Sequence, residues 1–386
     1  MAIFGKKDKV APGLMGVDIG AGGIKMVELV PEGKRLRLVT YGYSEFRDPE
    51  KHAGALLDDP KMAAEVLRRI MQESGMKSNK ANASLPSHSV FHAIITIPQP
   101  KSHKEDLKPL IENQVQKLLP KPLGDMILDS TIIDKDLLPK APLAEKIDKA
   151  KDKGTGDEGL EIKEEYPAKV QGGKHIRVLV SGAPKEMVGK YVAAFKAAKI
   201  DLVSLETEAF ALIRSLVGND KSRLMIVDIG YERTNITIVH KGFPFLHRSI
   251  KAGGATVTDM IAKQMSISLS EAEQTKLDLA ISPPPGGIPP VLKEAIQPIL
   301  HEIKYSLELF AQQDFHQHQT VEKIILTGGS AMLPQIDPII TEAMNISVYL
   351  GDPWARIAAP EGLRPVLAEI GPRFSVAAGL AMKNAK

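Results

Sequence analysis

The chain has 386 residues, of which 43% are hydrophobic and 25% are charged, and its formal net charge at pH 7 is +3. This composition is typical of a globular protein with room for two lobes, and the near-balanced charge gives no basis for nucleic-acid binding. The absence of cysteine excludes disulfides, thiolate catalysis and cysteine-ligated zinc. No apolar run approaches the roughly 20 residues of a membrane span, and the first residues lack the apolar core of a secretory signal.

The first predicted element is a β-hairpin built around Val17-Asp-Ile-Gly20. An apolar run ends at Gly20, a glycine-rich turn follows, and a second apolar run covers Met26–Val30. Glycine lets backbone N–H groups approach phosphate oxygens, and an aspartate at a strand end suits Mg²⁺. Taken alone, the motif fits an ordinary turn equally well. The predicted site residues are Asp18 for the metal and Gly20, Ala21, Gly22, Gly23 and Lys25 for phosphate.

The next segment combines a short β run with a helix. The β run Ile94–Ile97 ends at Pro98, and an apolar helical face follows it. Ser102 and Glu105 have the spacing of a capping box, but Pro109 conflicts with so early a start. The helix therefore either kinks at Pro109 or begins near it.

A change in composition then marks an insertion. Thirteen of the twenty-two residues from Ala144 to Glu165 are charged, with both signs mixed. Such a stretch buries too little apolar surface to offset its ordering entropy, so we predict a mobile insertion. A strand at His175–Gly182 and an amphipathic helix at Pro184–Ala198 follow it.

The tetrapeptide of the first hairpin recurs as Val227-Asp-Ile-Gly230, again followed by a polar turn and an apolar run. We expect a second hairpin of the same kind, with Asp228 on the metal side. The residues predicted to contact phosphate here are Gly230, Thr234 and Asn235. A helical stretch at Thr256–Leu279 and a long helix at Pro290–Gln317 follow.

A third glycine turn lies in the segment Lys323–Pro334. A β-rich run ends at Thr327, and Gly328 and Gly329 follow, with Ser330 placed to cap a helix that starts near Ala331. Ligands of open α/β sheets bind at such strand ends, where helix N-termini favour anions. On its own, the segment is better explained as a strand-to-helix connection without a ligand.

In this order, the three turns resemble the two phosphate loops and the adenosine loop of the actin-like ATPase superfamily. Within it, the chain resembles the PilM family of type IV pilus assembly proteins from about Gly13 to Met382. Distinctive stretches are Asp352-Pro-Trp354 and Glu369–Ala381. The resemblance implies an α/β fold with two duplicated, RNase H-like lobes and an inserted subdomain of the FtsA type.

The resemblance divides the chain into segments with numbered bounds. They are 13–85 for the first part of lobe I, 86–174 for the inserted subdomain with its mobile insertion near 140–172, 175–204 for the rest of lobe I, 205–360 for lobe II with a helical subdomain near 255–318, and 361–386 for a C-terminal helix that returns to lobe I.

The resemblance also implies two helices of small residues, Ser204–Leu212 and Phe374–Met382, that cross closely below the nucleotide. Glu206, on the first of them, is the candidate to orient the attacking water. Glu273 and Lys276 resemble a Glu-x-x-Lys stretch that contacts ribose and adenine in some actin-like proteins. As an isolated pattern, the pair is better explained as a solvent-exposed ion pair on a helix.

Further implications concern ligands and partners. The family resemblance implies ATP with Mg²⁺, at most slow hydrolysis, and docking to the cytoplasmic N-terminal segment of a PilN-type inner-membrane protein. Through that partner it implies indirect contact with a PilO-type protein and the pilus motor, possible self-association, and a cytoplasmic location at the inner membrane face. Position 21 is Ala where many relatives have Ser or Thr, which bears on hydrolysis more than on binding.

Two other functions stay open at this point. An FtsA-like, membrane-tethered filament protein would use a C-terminal amphipathic helix, which the final residues Met382–Lys386 do not resemble. A small-molecule kinase of the same superfamily would need a catalytic aspartate facing a substrate pocket, and the sequence offers no clear candidate.

Overall fold

The computed structural model describes residues 13–45, 53–99, 106–133, 175–281, 289–312 and 320–383. It divides into unit 1, which is Met1–Ser84, Tyr191–Gly218 and Gly351–Lys386, and unit 2, which is Leu85–Lys190 and Asn219–Leu350. The predicted polar insertion near 140–172 and the capping box at 102–105 lie outside the described residues.

The elements follow in chain order. The strands are Leu14–Gly20 (β1), Gly23–Glu32 (β2), Arg35–Glu45 (β3), Lys80–Leu85 (β4), Phe91–Pro98 (β5), Met126–Ile133 (β6), His175–Pro184 (β7), Asp201–Thr207 (β8), Leu224–Ile229 (β9), Thr234–His240 (β10), Phe243–Ile250 (β11), Lys323–Thr327 (β12), Val348–Leu350 (β13) and Ile357–Ala358 (β14). The helices are Ala53–Asp58 (α1), Pro60–Ser74 (α2), Lys108–Val115 (α3), Lys185–Ala198 (α4), Glu208–Leu212 (α5), Gly254–Met265 (α6), Leu269–Ile281 (α7), Pro290–Ala295 (α8), Gln297–Gln312 (α9), Ile336–Met344 (α10) and Arg364–Ala381 (α11).

Unit 1 is built on a six-stranded sheet in the order β14-β3-β2-β1-β4-β8. The first hairpin is confirmed, because β1 and β2 pair antiparallel and β1 also pairs parallel with β4. Apolar side chains from β2, β3 and α11 enclose Trp354, which is 1% exposed. The indole Nε1 donates to the Leu367 carbonyl at 2.8 Å, so the single tryptophan is a core residue.

The five-stranded sheet of unit 2, β11-β10-β9-β12-β13, repeats the order of β3-β2-β1-β4-β8 in unit 1 and, among the described residues, has no strand that corresponds to β14. The second hairpin is also confirmed, because β9 pairs antiparallel with β10 and parallel with β12. Each sheet therefore has an antiparallel meander that continues through its first strand into parallel strands. This repetition places Asp18 and Asp228 at matching positions near the ends of β1 and β9.

A third sheet, β5-β7-β6, is antiparallel and carries α3 on one face. The helix α3 has Pro109 in its first turn, so it begins beside the proline instead of kinking there. The sequence interpretation assigned the strand after residue 175 to the first lobe. In the structure that strand is β7, which pairs with β5 and β6 in this inserted sheet.

Three predicted helices have different bounds. Residues 204–207 are the end of β8, so α5 begins only at Glu208. The stretch Thr256–Leu279 is two helices, because Ser266 ends α6 in the left-handed conformation (φ 53°) and Ser268 caps α7. Pro298 belongs to the first turn of α9, a position that proline tolerates because its missing N–H would have no partner within that helix, and α8 ends before it at Ala295.

The helix predicted directly after the third glycine turn is also different. A short 3₁₀ turn at Gly329–Met332 follows the glycines, and α10 begins at Ile336. Pro334 and the left-handed Gln335 (φ 60°) prevent the turn from continuing as an α-helix. Ser330 is therefore part of the turn and not the N-cap of a helix.

Candidate functional site

The turn of the first hairpin is tight and its aspartate is buried. The β1–β2 register pairs Asp18 with Lys25 and closes on Gly20 and Gly23. The Asp18 carboxylate, 8% exposed, accepts a hydrogen bond from the Ser84 hydroxyl at 2.9 Å. Burial raises the pKa of Asp18, while the Lys25 charge and the Ser84 hydrogen bond act in the opposite direction.

Glycine is required at the end of this turn. Gly23 has φ 140°, and a Cβ atom there would lie 2.0 Å from the Ser44 carbonyl oxygen. At Gly20, by contrast, a Cβ atom would meet its nearest neighbour at 3.7 Å. The Lys25 ammonium lies beside the turn and donates to the Gly23 carbonyl at 3.4 Å.

The second hairpin places Asp228 opposite Asn235 on β10 and opposite Thr327 on β12. Its turn is closed by the Gly230 N–H, which donates to the Arg233 carbonyl at 2.9 Å. Thr234 has 0% exposure, and its hydroxyl donates to the Ala252 carbonyl at 2.6 Å. The Thr234 hydroxyl, predicted to contact phosphate, is thus engaged inside the protein.

The third glycine turn packs directly on the second hairpin. Gly328 has φ 89°, and a Cβ atom there would lie 2.4 Å from the Ile229 carbonyl oxygen and 2.5 Å from Asp228 Oδ1. The Ser330 hydroxyl donates to the Gly230 carbonyl at 3.1 Å. The structure therefore brings together two of the turns that the sequence singled out.

A fourth turn, Gly253–Gly254 at the start of α6, joins the same place and was missed by the sequence interpretation. The Gly254 N–H donates to the Gly230 carbonyl at 3.0 Å. A Cβ atom on Gly254 would lie 2.6 Å from Ser330 Oγ. The signal was available, because the triplet Ala-Gly-Gly occurs both at Ala252–Gly254 and in the first hairpin turn.

Glu273 and Lys276 are not a solvent-exposed pair, and that alternative is wrong. Lys276 is 7% exposed. Its ammonium donates to Glu273 Oε2 at 2.6 Å, to Thr258 Oγ1 at 2.9 Å and to the Gly254 carbonyl at 3.2 Å. It also lies 5.7 Å from the centre of the Tyr231 ring, a cation–π distance. The buried Lys276 ammonium thus contacts the turn that contains Gly254.

Glu206 occupies a different environment from the one expected. It lies on β8, and its two carboxylate oxygens accept from the Arg214 guanidinium at 2.6 and 2.9 Å. The Lys383 ammonium lies 2.9 Å from the same carboxylate, whose side chain is 10% exposed. These ion pairs connect β8 to the C-terminal residues of unit 1, so we assign Glu206 a structural position.

The two small-residue helices, predicted to cross between the lobes, pack closely against each other inside unit 1. A Cβ atom on Gly379 of α11 would lie 2.0 Å from the Ala211 carbonyl oxygen of α5. A Cβ atom on Gly16 of β1 would lie 1.9 Å from the Ala377 carbonyl oxygen. Both glycines are needed because α11 packs backbone to backbone against its neighbours.

Clusters of metal ligands and membrane-spanning helices are both absent from the described residues. Among them, no group of three or more His, Asp or Glu side chains is arranged to hold a metal ion. No helix in the same ranges combines the length and the apolar character needed to cross a membrane. The carboxylates of Asp18 and Asp228, each beside a glycine turn, are of the type that Mg²⁺ uses together with water and phosphate oxygens.

Comparisons with known proteins give one family and several structures. The family model for the type IV pilus assembly protein PilM matches residues 16–143 and 165–385. A PilM–PilN type IV pilus biogenesis complex is 22% identical, covers 97% of this chain and 98% of that chain, and has a TM-score of 0.75. The ethanolamine utilization protein EutJ from Carboxydothermus hydrogenoformans is 14% identical over 96% and 90%, with a TM-score of 0.51. These two matches confirm the predicted α/β, actin-like ATPase fold.

Proposed function

Because the chain belongs to the PilM family of type IV pilus assembly proteins, we propose that it is an ATP-binding assembly protein of the pilus inner-membrane subcomplex. The observation that carries the nucleotide part is the convergence of three turns in unit 2 on one buried ammonium. The turns contain Gly230, Gly253–Gly254 and Gly328–Ser330 and contact one another, and the Lys276 ammonium meets them at the Gly254 carbonyl.

The chemistry of this cluster suits a nucleoside polyphosphate. Glycines at the contact points let the turns approach one another and a ligand without intervening side chains. The Lys276 charge is balanced by Glu273, and its contacts fix the Gly254 turn and the Glu273 carboxylate in place. Glu273, whose side chain is 28% exposed, adds a carboxylate that can accept hydrogen bonds from sugar hydroxyls.

The hairpin aspartates have a separate part in the proposal. We assign Asp18 and Asp228 to the magnesium side, each through water, which Mg²⁺ releases reluctantly. The turn Gly20–Gly23, with Lys25, is assigned to phosphate contact. Glu206 and the Thr234 hydroxyl are left out, because both are engaged in internal bonds.

The partner is proposed from the family and from the PilM–PilN complex among the similar structures. This chain would bind the cytoplasmic N-terminal segment of a PilN-type inner-membrane protein, and through it act on a PilO-type protein and the pilus motor. It would therefore be a cytoplasmic protein held at the inner membrane face by its partner. Differential affinity of ATP for one conformation would link nucleotide state to docking.

Titration calorimetry with Mg-ATP tests the nucleotide part. Replacing Lys276 by Met removes the buried charge but keeps the apolar stem, and we expect at least about tenfold weaker binding, or ~1.4 kcal/mol. Lys263→Met is the matched control, since Lys263 is exposed on α6, and its affinity should equal that of the wild type. Equal affinities for all three proteins, or no binding by the wild type, would reject the assignment.

The partner part has its own test. A peptide with the N-terminal cytoplasmic sequence of the PilN-type protein encoded with this chain should bind the full-length protein, while a scrambled peptide of the same composition should not. Measuring the peptide affinity with and without saturating Mg-ATP would show the coupling, which by linkage must be equal in both directions. Equal binding of both peptides would contradict the proposed partner.

A further inference from the structure

Thr258, in the middle of α6, lies at the centre of the unit 2 cluster, and the sequence interpretation gave it no role. It is 5% exposed. Its Oγ1 lies 2.6 Å from Glu273 Oε2, 2.9 Å from Lys276 Nζ and 3.0 Å from the Gly254 carbonyl oxygen. A single hydroxyl thus contacts the acid, the base and the glycine turn of the proposed site.

The protons of this network can be assigned by counting donors. Lys276 has three ammonium protons, and Glu273 Oε2, Thr258 Oγ1 and the Gly254 carbonyl oxygen all lie within hydrogen-bond distance of its Nζ. Thr258 has one proton, which goes to Glu273 Oε2, because that contact is shorter and the acceptor is charged. Two donors, one of them an ammonium, therefore hold the same carboxylate oxygen.

The other oxygen of Glu273, Oε1, takes part in none of these contacts. The carboxylate is thus fixed through Oε2, and its rotation about the last side-chain bond is limited by two hydrogen bonds. The Glu273 side chain is 28% exposed, whereas that of Lys276 is 8% exposed. The partly exposed member of the pair is therefore the one with an oxygen left over for a ligand.

We propose that Thr258 is a positioning residue, which orients Glu273 so that Oε1 accepts a hydrogen bond from a ribose hydroxyl of the bound nucleotide. This inference rests on the proposed nucleotide-binding function. Removing the Thr258 hydroxyl leaves Oε2 with the lysine alone, so the carboxylate gains rotational freedom. The protein should then lose part of its ability to distinguish a ribose from a deoxyribose.

The experiment measures dissociation constants of the full-length protein for ATP, 2′-deoxy-ATP and 3′-deoxy-ATP, each with Mg²⁺. For the wild type we expect at least one deoxy analogue to bind about tenfold more weakly than ATP, since a hydrogen bond to a charged group is lost. In Thr258→Val that ratio should fall to about threefold or less. Thr258→Ser keeps the hydroxyl and should retain the wild-type ratio.

Thr341→Val is the matched control, because it removes the same kind of hydroxyl from an exposed helix position, where that hydroxyl donates to the Asp337 carbonyl. Its ratio should equal that of the wild type. If Thr258→Val folds poorly, the same ratio of dissociation constants is measured for Thr258→Ala. An unchanged ratio in both Thr258 variants would overturn this inference while leaving ATP binding intact. Failure of the wild type to bind ATP would overturn both this inference and the proposed function.

Discussion

The two hairpins have the same strand order and the same Asp-Ile-Gly ending, but different surroundings support them. In unit 1, the aspartate is held by groups of its own sheet, the Ser84 hydroxyl and the paired Lys25. In unit 2, the turn after Asp228 is supported by neighbouring turns, since the Gly230 carbonyl accepts from the Gly254 N–H and from Ser330. A duplicated strand pattern thus produces two similar turns, and the surrounding elements decide what each turn can bind.

The difference extends to the middle of the strands. Two residues before the aspartate, β1 has Gly16 and β9 has Ile226, which is 0% exposed. In unit 1, α11 approaches the backbone of β1 directly, whereas in unit 2 the matching position carries a full core side chain. At this position the two sheets are therefore packed differently, against a helix backbone in unit 1 and through a buried isoleucine side chain in unit 2.

The largest expected effect on stability comes from adding a side chain at Gly16, where α11 packs against the backbone of β1. Gly16→Ile should destabilise the protein by at least about 3 kcal/mol, because the new side chain meets backbone atoms that cannot move aside. At the matching position in unit 2, Ile226→Val should lower the free energy of unfolding by only about 1 kcal/mol, the usual effect of removing one buried methylene. Urea unfolding followed by circular dichroism measures both, and equal costs would contradict the account of α11.

Acid should affect the two units in opposite directions. Burial lowers the pKa of His92 to about 4 and that of His247 to about 3 in unit 2, where their ring centres are 6.5 Å apart. Both are neutral in the folded state but protonate near pH 6.5 when unfolded, so their contribution is complete above pH 6.5 and is lost as the pH falls. For Asp18 in unit 1, burial raises the pKa above that of the unfolded chain. The contribution of Asp18 to folding stability therefore grows as the pH falls through the raised pKa.

We therefore expect β5 and β11 to lose about 1–3 kcal/mol of local stability between pH 7 and pH 5. Hydrogen exchange, corrected for the intrinsic rate at each pH, measures this by region. His247→Gln should reduce the pH dependence, and His301→Gln, at an exposed position, should leave it unchanged. A loss confined to β1 and β2 would contradict the assignment.

A smaller effect compares the two aspartates as magnesium-side groups. Asp18→Asn and Asp228→Asn should each reduce the gain in ATP affinity that Mg²⁺ provides by about tenfold, or ~1.4 kcal/mol, because a carboxylate near the ion is lost. Titrations with Mg²⁺ and with EDTA measure the gain. Asp278→Asn, at an exposed position on α7, is the control. If only one aspartate variant changes the gain, the symmetric role of the hairpins is wrong.

Local patterns predicted the parts of this fold that depend on neighbouring residues. Asp59 and Pro60 mark the start of α2, and Gly75 ends it in the left-handed conformation, so its bounds could be predicted from the sequence. The two hairpins followed from the repeated tetrapeptide and its apolar flanks. The family resemblance supplied the fold and the division of the chain into lobes.

The parts that could not be predicted depend on long-range contacts. The burial of Lys276 requires Thr258 and Gly254 to approach α7, and the helical spacing of Glu273 and Lys276 alone describes an exposed pair as well. Arg214, the ion-pair partner of Glu206, lies in the π-helical turn Ile213–Val217, and no local sequence pattern predicts that turn. The sequence likewise predicted that Thr234 contacts phosphate, whereas its hydroxyl donates to the Ala252 carbonyl, a contact that no local pattern indicates.

The most direct test of the central claim compares Gly254→Ala with Gly189→Ala in Mg-ATP titrations. The new methyl group at position 254 would meet Ser330 Oγ at 2.6 Å and Lys276 Nζ at 3.3 Å, both at the ends of side chains that can move. The fold should therefore persist while the ligand-binding groups are displaced, and affinity should fall at least about tenfold, or ~1.4 kcal/mol. Gly189 has open space around it, and its variant should bind like the wild type. Unchanged ATP affinity in folded Gly254→Ala would contradict the proposal that these turns hold the nucleotide.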